Sequence, residues 1–386
     1  MKKICFVLDQ FLYGGIEKVL INYVNAIDKT KYSIDIIILS QYEDMIKNIP
    51  IECNIITKKV PRNHCPLSRA STMVRRPAGA ILYYGTYCLK KLFLEPINFF
   101  KFYEERKKTY DCVIAFSGHI NDIYVVSKFL KGNKKIVWAH GMIYQYLLMS
   151  PAFEKLYKNF DKIVCINELS QQDIFDYKPY LNYKIENLYN PIPFVNNTYD
   201  KKDLDEIKSK YGNYILSVAR MAEPKDFITL IDAYYLLLKK LKKPLNLVIL
   251  GDGPDRKKIE DYISLKKLEK NIFLLGNLNN IEKFYKLSKC FVLSSKNEGL
   301  PTVIIEAMSF GKPIVSTDAP YGPRDILKNN QYGILVPVGD SLELSNKLYE
   351  LLSNKEIYNY YSNQSQIRFK DFLPEKIIQK FYKLIE

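Results

Sequence analysis

Histidine, tryptophan and acidic residues are in short supply in this 386-residue sequence. There are three histidines (64, 119 and 140), one tryptophan, and 42 Asp or Glu against 57 Lys or Arg, a net charge of +15. The seven cysteines (5, 53, 65, 88, 112, 165 and 290) are odd in number and form no Cys-x-x-Cys pair. That excludes a disulfide framework and a cysteine zinc module, and reads as reduced thiols. The histidines lack the helical spacing of a metal ligand pair, so no metal is expected. No apolar run reaches the roughly 20 residues of a membrane-spanning helix. The best candidate, 79–100, is broken by Lys90, Lys91, Glu95 and Pro96. The run Ile4 to Leu8 behind Met1-Lys2-Lys3 is too short for the apolar core of a secretion signal. There is no Gly-x4-Gly-Lys-Ser/Thr loop, which excludes a P-loop nucleotidase, and Gly251-Asp252-Gly253-Pro254 has Arg256 where a dinucleotide fingerprint needs its third glycine.

What is present is a chain long enough for about two domains, with 47% hydrophobic residues to fill their cores. The positive charge suits nucleic acid, an anionic membrane surface or a phosphorylated small molecule. It is concentrated between Lys58 and Lys108, where twelve Lys or Arg face three Glu and aromatic residues are interleaved (Tyr83, Tyr84, Tyr87, Phe93, Phe99, Phe100, Phe102, Tyr103). Two readings stay open: core helices with solvated lysine faces, or an interfacial patch for anionic lipid headgroups. No nucleic-acid recognition motif accompanies the charge.

Short apolar runs alternate with helical periodicity along both halves, the pattern of parallel α/β units. Strand Ile4 to Leu8 leads through Gly14-Gly15 into a helix from Ile16 to about Ile27, an arrangement that brings backbone close to a phosphate or sugar, or makes a tight turn. Strand Tyr110 to Phe116 ends in Ser117-Gly118-His119-Ile120-Asn121-Asp122 and strand Lys135 to Ala139 in His140-Gly141, which puts two histidines just past the end where open α/β sheets bind ligands. The prolines at 191 and 193 and the polar run Asn196 to Lys210 suggest a linker. Beyond it, strand Tyr214 to Ala219 ends in Arg220, with Lys225 five residues on. Two cations in one strand-to-helix loop suit a diphosphate; ordinary surface charge is the alternative. Strand Cys290 to Leu293 then runs into Asn297-Glu298-Gly299-Leu300-Pro301-Thr302, a helix containing Glu306, a Gly311-Lys312-Pro313 stop and strand Ile314 to Thr317. Glu298 lies just before the helix. Glu306 is surrounded by Val303, Ile304, Ile305, Ala307 and Met308, where a carboxylate is costly unless something donates to it. A diol could do so, and so could a core Lys or Arg.

The string from Glu298 to Val315, with Glu306 eight residues after Glu298 and the trailing Glu-Ala-Met-x-x-Gly-Lys-Pro-x-Val, resembles the Glu-x7-Glu signature of family 4 retaining glycosyltransferases (glycosyl transferases group 1). The resemblance implies an α/β chain of GT-B fold, two Rossmann-like doubly wound domains facing a central cleft. It implies an acceptor-binding domain over 1–192, a nucleotide-sugar domain over 193–370, and a C-terminal helix, 371–386, crossing back to the first. The implied activity is metal-independent, retaining hexosyl transfer without a cofactor. The sugar moves from a nucleoside-diphosphate sugar to a glycan acceptor, a polyprenyl-linked intermediate of surface polysaccharide synthesis. Carried onto matching positions, Arg220, Lys225, Glu298 and His119 are catalytic. Gly14, Gly15, Arg220, Lys225, Gly251, Glu298, Gly299, Leu300, Pro301, Thr302 and Glu306 bind the donor, and His140 and Glu17 lie on the acceptor side. Ala219, Met221 and Asp226 depart from the Gly, Leu and Gly common in the family, while Arg220 and Lys225 keep their spacing. The implied location is cytoplasmic, with 58–108 meeting the inner face of the cell membrane; no nucleic-acid partner is implied. Alternatives are a non-catalytic sugar-nucleotide or membrane-surface binding protein, an inverting transferase, or a sugar-nucleotide epimerase.

Overall fold

The computed structural model describes residues 1–12, 15–40, 44–58, 96–141, 156–177, 179–193, 199–243, 245–278 and 280–386. The chain divides into two units, Met1–Pro191 with Pro374–Glu386, and Ile192–Leu373. Gly14 and most of the basic stretch, 59–95, lie outside the described residues.

The first unit is built on β1 (Lys2–Leu8), β2 (Tyr32–Ile38), β3 (Asn54–Thr57), β4 (Thr109–Ala115), β5 (Lys131–Ala139), β6 (Lys162–Cys165) and β7 (Ile185–Asn187). They form one parallel sheet in the order β3-β2-β1-β4-β5-β6-β7. The central strands are continuous apolar runs because both faces are covered: Cys5 to Leu8 and Val113 to Ala115 are fully buried. β3 escapes a reading by pattern because it is a short edge strand whose residues are mostly exposed.

The last helix, Pro374–Ile385, belongs to this unit. It buries Ile377, Ile378, Phe381, Leu384 and Ile385, the stripe expected of a 3.6-residue period. The Phe381 ring packs within 5.4 Å of Tyr23 and 6.2 Å of Trp138, and Tyr382 stacks on Tyr32 at 5.0 Å. The Tyr382 hydroxyl accepts the Asp28 N–H at 2.8 Å.

The second unit holds β8 (Tyr214–Val218), β9 (Asn246–Leu250), β10 (Ile272–Leu274), β11 (Phe291–Leu293), β12 (Ile314–Thr317) and β13 (Ile334–Val336), parallel in the order β10-β9-β8-β11-β12-β13. The polar run read as a linker is instead mostly helix, Lys201–Tyr211. Its N-terminus is capped by Asp200, which accepts the Lys202 N–H, and only Ile207 and Tyr211 are buried. Two apolar contacts in eleven residues are enough to seat a capped helix and too few to show in the pattern.

Each sheet reverses strand order once, between β1 and β4 and between β8 and β11. There the loops leave the sheet in opposite directions and open a crevice at the carboxyl ends of the strands.

Phe381→Ala leaves a large void beside the buried Trp138, the single tryptophan of the chain. It should destabilise the first unit by about 3–5 kcal/mol, seen as an earlier transition of tryptophan fluorescence in urea.

Candidate functional site

The second unit gathers its charged residues at the β8/β11 reversal. Glu298 is 8% exposed, so it is not a solvated loop residue. Its Oε1 accepts from Lys225 Nζ at 2.6 Å and from the Ser295 hydroxyl at 2.6 Å. The two loops are further tied by Ser294 Oγ, which donates to the Lys225 carbonyl at 3.0 Å, and by the Lys296 N–H, which donates to the Pro224 carbonyl at 2.8 Å. Thr317, at the end of β12, donates to the Ser295 carbonyl at 2.6 Å. A salt bridge at this depth persists only with such added donors.

Arg220, the first cation after β8, is exposed and its side chain has no partner among the described residues. Its loop is held by backbone: the Met221 N–H donates to the Asp252 carbonyl at 2.9 Å, and the Asp255 N–H to the Met221 carbonyl at 3.0 Å. Gly251, predicted to meet the donor, has φ +120°, and a Cβ there would overlap the Ala219 carbonyl oxygen. A Cβ at Gly253 would overlap the Met221 carbonyl oxygen in the same way. Both glycines are therefore required for the two loops to touch, whatever they do for a ligand.

Helix Thr302–Ser309 begins after Pro301, with no side chain capping its first N–H groups. Leu300 and Pro301 are buried, and Gly299 and Thr302 are half-buried at its mouth. Glu306 on this helix is 8% exposed, and its Oε2 accepts the Tyr285 hydroxyl at 3.0 Å.

The first unit has a second cluster at the β1/β4 reversal. His119 precedes helix Ile120–Lys128, and its Nδ1 stands 3.7 Å from Asp9 Oδ2. Asp9 raises the imidazole pKa above its usual value, with further help from Asp122 and Glu17, against the opposing effect of burial. Asp122 is fully buried and accepts from the Ser117 hydroxyl at 2.8 Å, the Gly118 N–H at 2.9 Å and the Ile123 N–H at 3.0 Å. Burial pushes its carboxyl up to about 7, with His119 and Ser117 pulling the other way. Asn121 donates to Asp9 Oδ1 at 2.8 Å, and the Asp9 N–H donates to Ser117 Oγ at 3.0 Å. Glu17 is buried in the first turn of helix Gly15–Ala26, where it accepts the Leu12 N–H at 3.2 Å. A Cβ at Gly15 would meet nothing within 4 Å, so packing does not demand glycine there.

His140 differs from His119. Its Nε2 lies 2.8 Å from the Phe116 carbonyl and its ring meets Phe116 edge-on at 5.1 Å. Burial lowers its pKa to about 4, so it is neutral and donates Nε2–H. Sequence reasoning missed Asp9, Asn121, Asp122, Ser295 and Tyr285. Asp9 directly follows strand Ile4 to Leu8, and Asn121 and Asp122 follow His119 within three residues, whereas nothing in the order of residues links Tyr285 to Glu306. Among the described residues no group of three or more His, Cys, Asp or Glu is placed to hold a metal ion.

Residues 200–368 match the family of glycosyl transferases group 1. The match spans most of the second unit, Ile192–Leu373, and the chain is a glycosyltransferase. Along 387 residues the glycosyltransferase is 26% identical to a Campylobacter jejuni α-1,4-N-acetyl-D-galactosaminyltransferase named for a GalNAc-GalNAc-diNAcBac-PP-undecaprenol substrate, covering 100% of this chain and 98% of that one. A second C. jejuni enzyme, a 4-α-N-acetylgalactosaminyltransferase named for a diphospho-undecaprenol glycan, is 30% identical over 230 residues, 60% of this chain and 61% of that one. In fold the glycosyltransferase is similar to Anabaena HepE, crystallised with UDP and glucose, at TM-score 0.77 and 18% identity, covering 100% of this chain and 99% of that one. The two parallel sheets with alternating helices are those of the GT-B fold.

The neutral state of His140 has a consequence for pH. Its folded pKa, about 4, is below the ordinary 6.5, so it contributes stability that is present above pH 6.5 and lost as pH falls through 4. His140→Gln keeps an N–H for the Phe116 carbonyl. It should reduce the stability difference between neutral pH and the acid end of that window by on the order of 1–3 kcal/mol, measured by urea unfolding at both ends.

Proposed function

We propose that this glycosyltransferase moves a sugar from a nucleoside-diphosphate sugar to a glycan carried on a polyprenyl diphosphate, with retention of anomeric configuration, in the assembly of a surface polysaccharide. The observation that carries the reading is the Lys225–Glu298 pair at the β8/β11 reversal, with Arg220, whose side chain has no partner among the described residues, in the same loop as Lys225. Arg220 and Lys225 meet the diphosphate and neutralise the charge that grows on it as the sugar departs. Lys225 then turns from Glu298 toward the phosphate, and Glu298 takes hydroxyls of the donor sugar. Glu306 takes the ribose diol. The open N-terminus of helix Thr302–Ser309, with Gly299 to Thr302 around it, adds N–H groups toward phosphate. The uridine diphosphate and glucose held by the Anabaena protein support a donor of this class.

On the acceptor side, His119 held by Asp9 orients a hydroxyl or a phosphate, with Glu17 in the helix after β1 and His140 at the end of β5 as further contributors, while Gly14 and Gly15 serve the donor. The lipid-linked substrates in the names of the Campylobacter relatives support a polyprenyl carrier. Two cations at the diphosphate leave the proposal without a metal or cofactor. The two glutamates are not given the acid and nucleophile roles of a glycosidase pair; the departing phosphate takes the acceptor proton.

The basic aromatic stretch supports peripheral work on an anionic membrane from the cytoplasmic side. In its described part, Ile97, Phe99, Phe100 and Tyr103 are exposed, and Arg106 and Lys107 each sit 4.1 Å over an aromatic ring, Phe99 and Tyr103. Aromatic residues at headgroup level with cations beside them make an interfacial anchor. No helix among the described residues is long and apolar enough to cross a membrane.

With a donor sugar nucleotide, Lys225→Ala should lower turnover by about 10²–10³-fold, and proton NMR of the product should show the donor's anomeric configuration. Wild-type turnover in the variant removes Lys225 from the diphosphate. Phosphatidylglycerol vesicles should carry the wild type upward in flotation, and the double change Arg106→Glu with Lys107→Glu should cut that fraction severalfold. An unchanged fraction removes the anchor.

A further inference from the structure

Tyr285 and Glu306 belong to different elements and meet inside the second unit. Tyr285 lies on helix Glu282–Leu287, which leads into β11, and is 1% exposed. Its hydroxyl donates to Glu306 Oε2 at 3.0 Å. The phenol ring is stacked on Phe310 at 5.7 Å, with an interplanar angle of 8°, and leans on Phe291 at 5.9 Å. Burial and the neighbouring carboxylate push the phenol pKa well up, so the proton stays on the tyrosine and the hydroxyl is the donor.

Lys312, the lysine of the Gly-Lys-Pro stop, fixes the relative position of these two helices. Its Nζ donates to the Lys286 carbonyl at 2.8 Å and the Ser288 carbonyl at 2.9 Å, at the C-terminal end of the helix carrying Tyr285. A cation at helix carbonyls is well placed. Thus the segment that carries Glu306 also grips the helix that carries the phenol. Tyr358 adds a bond to the Lys289 carbonyl at 2.8 Å just beyond.

We propose that Tyr285 is a positioning residue: its hydroxyl holds the Glu306 carboxylate in one orientation, so that this carboxylate distinguishes ribose from 2′-deoxyribose in the nucleoside-diphosphate part of the donor. A carboxylate offers about four acceptor positions on two oxygens. The phenol takes one on Oε2 and sets the plane of the group. A vicinal diol brings two O–H donors, and each bond to an ionised acceptor is stronger than a neutral one. A carboxylate free to rotate on a helix would lose that advantage to side-chain entropy. This inference rests on the reading of Glu306 as the ribose ligand.

The test uses the full chain and isothermal titration calorimetry. Of UDP, GDP, ADP and CDP, the nucleotide that binds tightest is compared with its 2′-deoxy counterpart. The wild type should prefer the ribonucleotide about tenfold or more, as expected when one hydrogen bond to a charged group is lost. Glu306→Gln should bring the ratio close to one. Tyr285→Phe should reduce it to about threefold or less, with the affinity for the deoxynucleotide little changed. A purely structural tyrosine would weaken both nucleotides alike and leave the ratio intact, and that result overturns the proposal while leaving Glu306 in place. A ratio near one in the wild type overturns the reading of Glu306 itself. Should Tyr285→Phe not fold, a crystal structure of the wild type with the same nucleotide decides. Ribose hydroxyls on Glu306 with the Tyr285 hydroxyl still on Oε2 support the proposal, and a phenol turned away from Glu306 overturns it.

Discussion

The ion pair between Lys225 and Glu298 joins the loop after β8 to the loop after β11, at the point where the second sheet reverses its strand order. Two loops that leave a sheet in opposite directions have no backbone bonds to spare for each other, so side chains must span the gap. Here that work falls to two salt bridges, Lys225–Glu298 and Lys296–Glu223, to Ser294 Oγ, which donates to the Lys225 carbonyl, and to a backbone bond from Lys296, while Ser295 and Thr317 brace the β11 loop itself. Because Glu298 is nearly buried, losing Lys225 would leave its carboxylate poorly solvated, while the half-buried Lys225 keeps part of its water. In the proposed reaction a diphosphate beside Arg220 would compete for Lys225 with a stronger and more diffuse negative charge.

The first unit solves the same geometric problem with the opposite balance of charge. At its β1/β4 reversal one histidine stands among three carboxylates, Asp9, Glu17 and Asp122. The chain from the Asp9 N–H through the Ser117 hydroxyl to Asp122 ties the two strand ends together. A cationic imidazole is favoured in such surroundings. At the end of the neighbouring strand β5, His140 faces a carbonyl and aromatic rings and is kept neutral. Two histidines that look equivalent in the sequence thus have their pKa values moved in opposite directions, decided by which atoms fold against them.

The periodicity of apolar residues was enough to place most strands and the C-terminal helix, because parallel strands buried on both faces are uninterrupted apolar runs. It failed where burial is slight. β3 is an exposed edge, and helix Lys201–Tyr211 touches its unit through Ile207 and Tyr211. Both are stabilised by partners remote in sequence or by a cap, and neither leaves a strong pattern. The apolar neighbours of Glu306 correctly marked a buried carboxylate, and one of its partners is a phenol 21 residues away.

From the order of residues alone come the alternation of strand and helix, the Glu298 and Glu306 spacing, the cations at 220 and 225, and the absence of a P-loop or dinucleotide loop. These follow from local chemistry: side-chain period, glycine and proline at element ends, and charge where a strand stops. Strand order was settled only by tertiary packing, and with it the fact that both charged clusters lie at a reversal. So were the pairing of Lys225 with Glu298, the unlike environments of His119 and His140, and the contact of Tyr285 with Glu306. Each joins residues from separate strand–helix units, and such contacts depend on which units become neighbours when their apolar faces are buried.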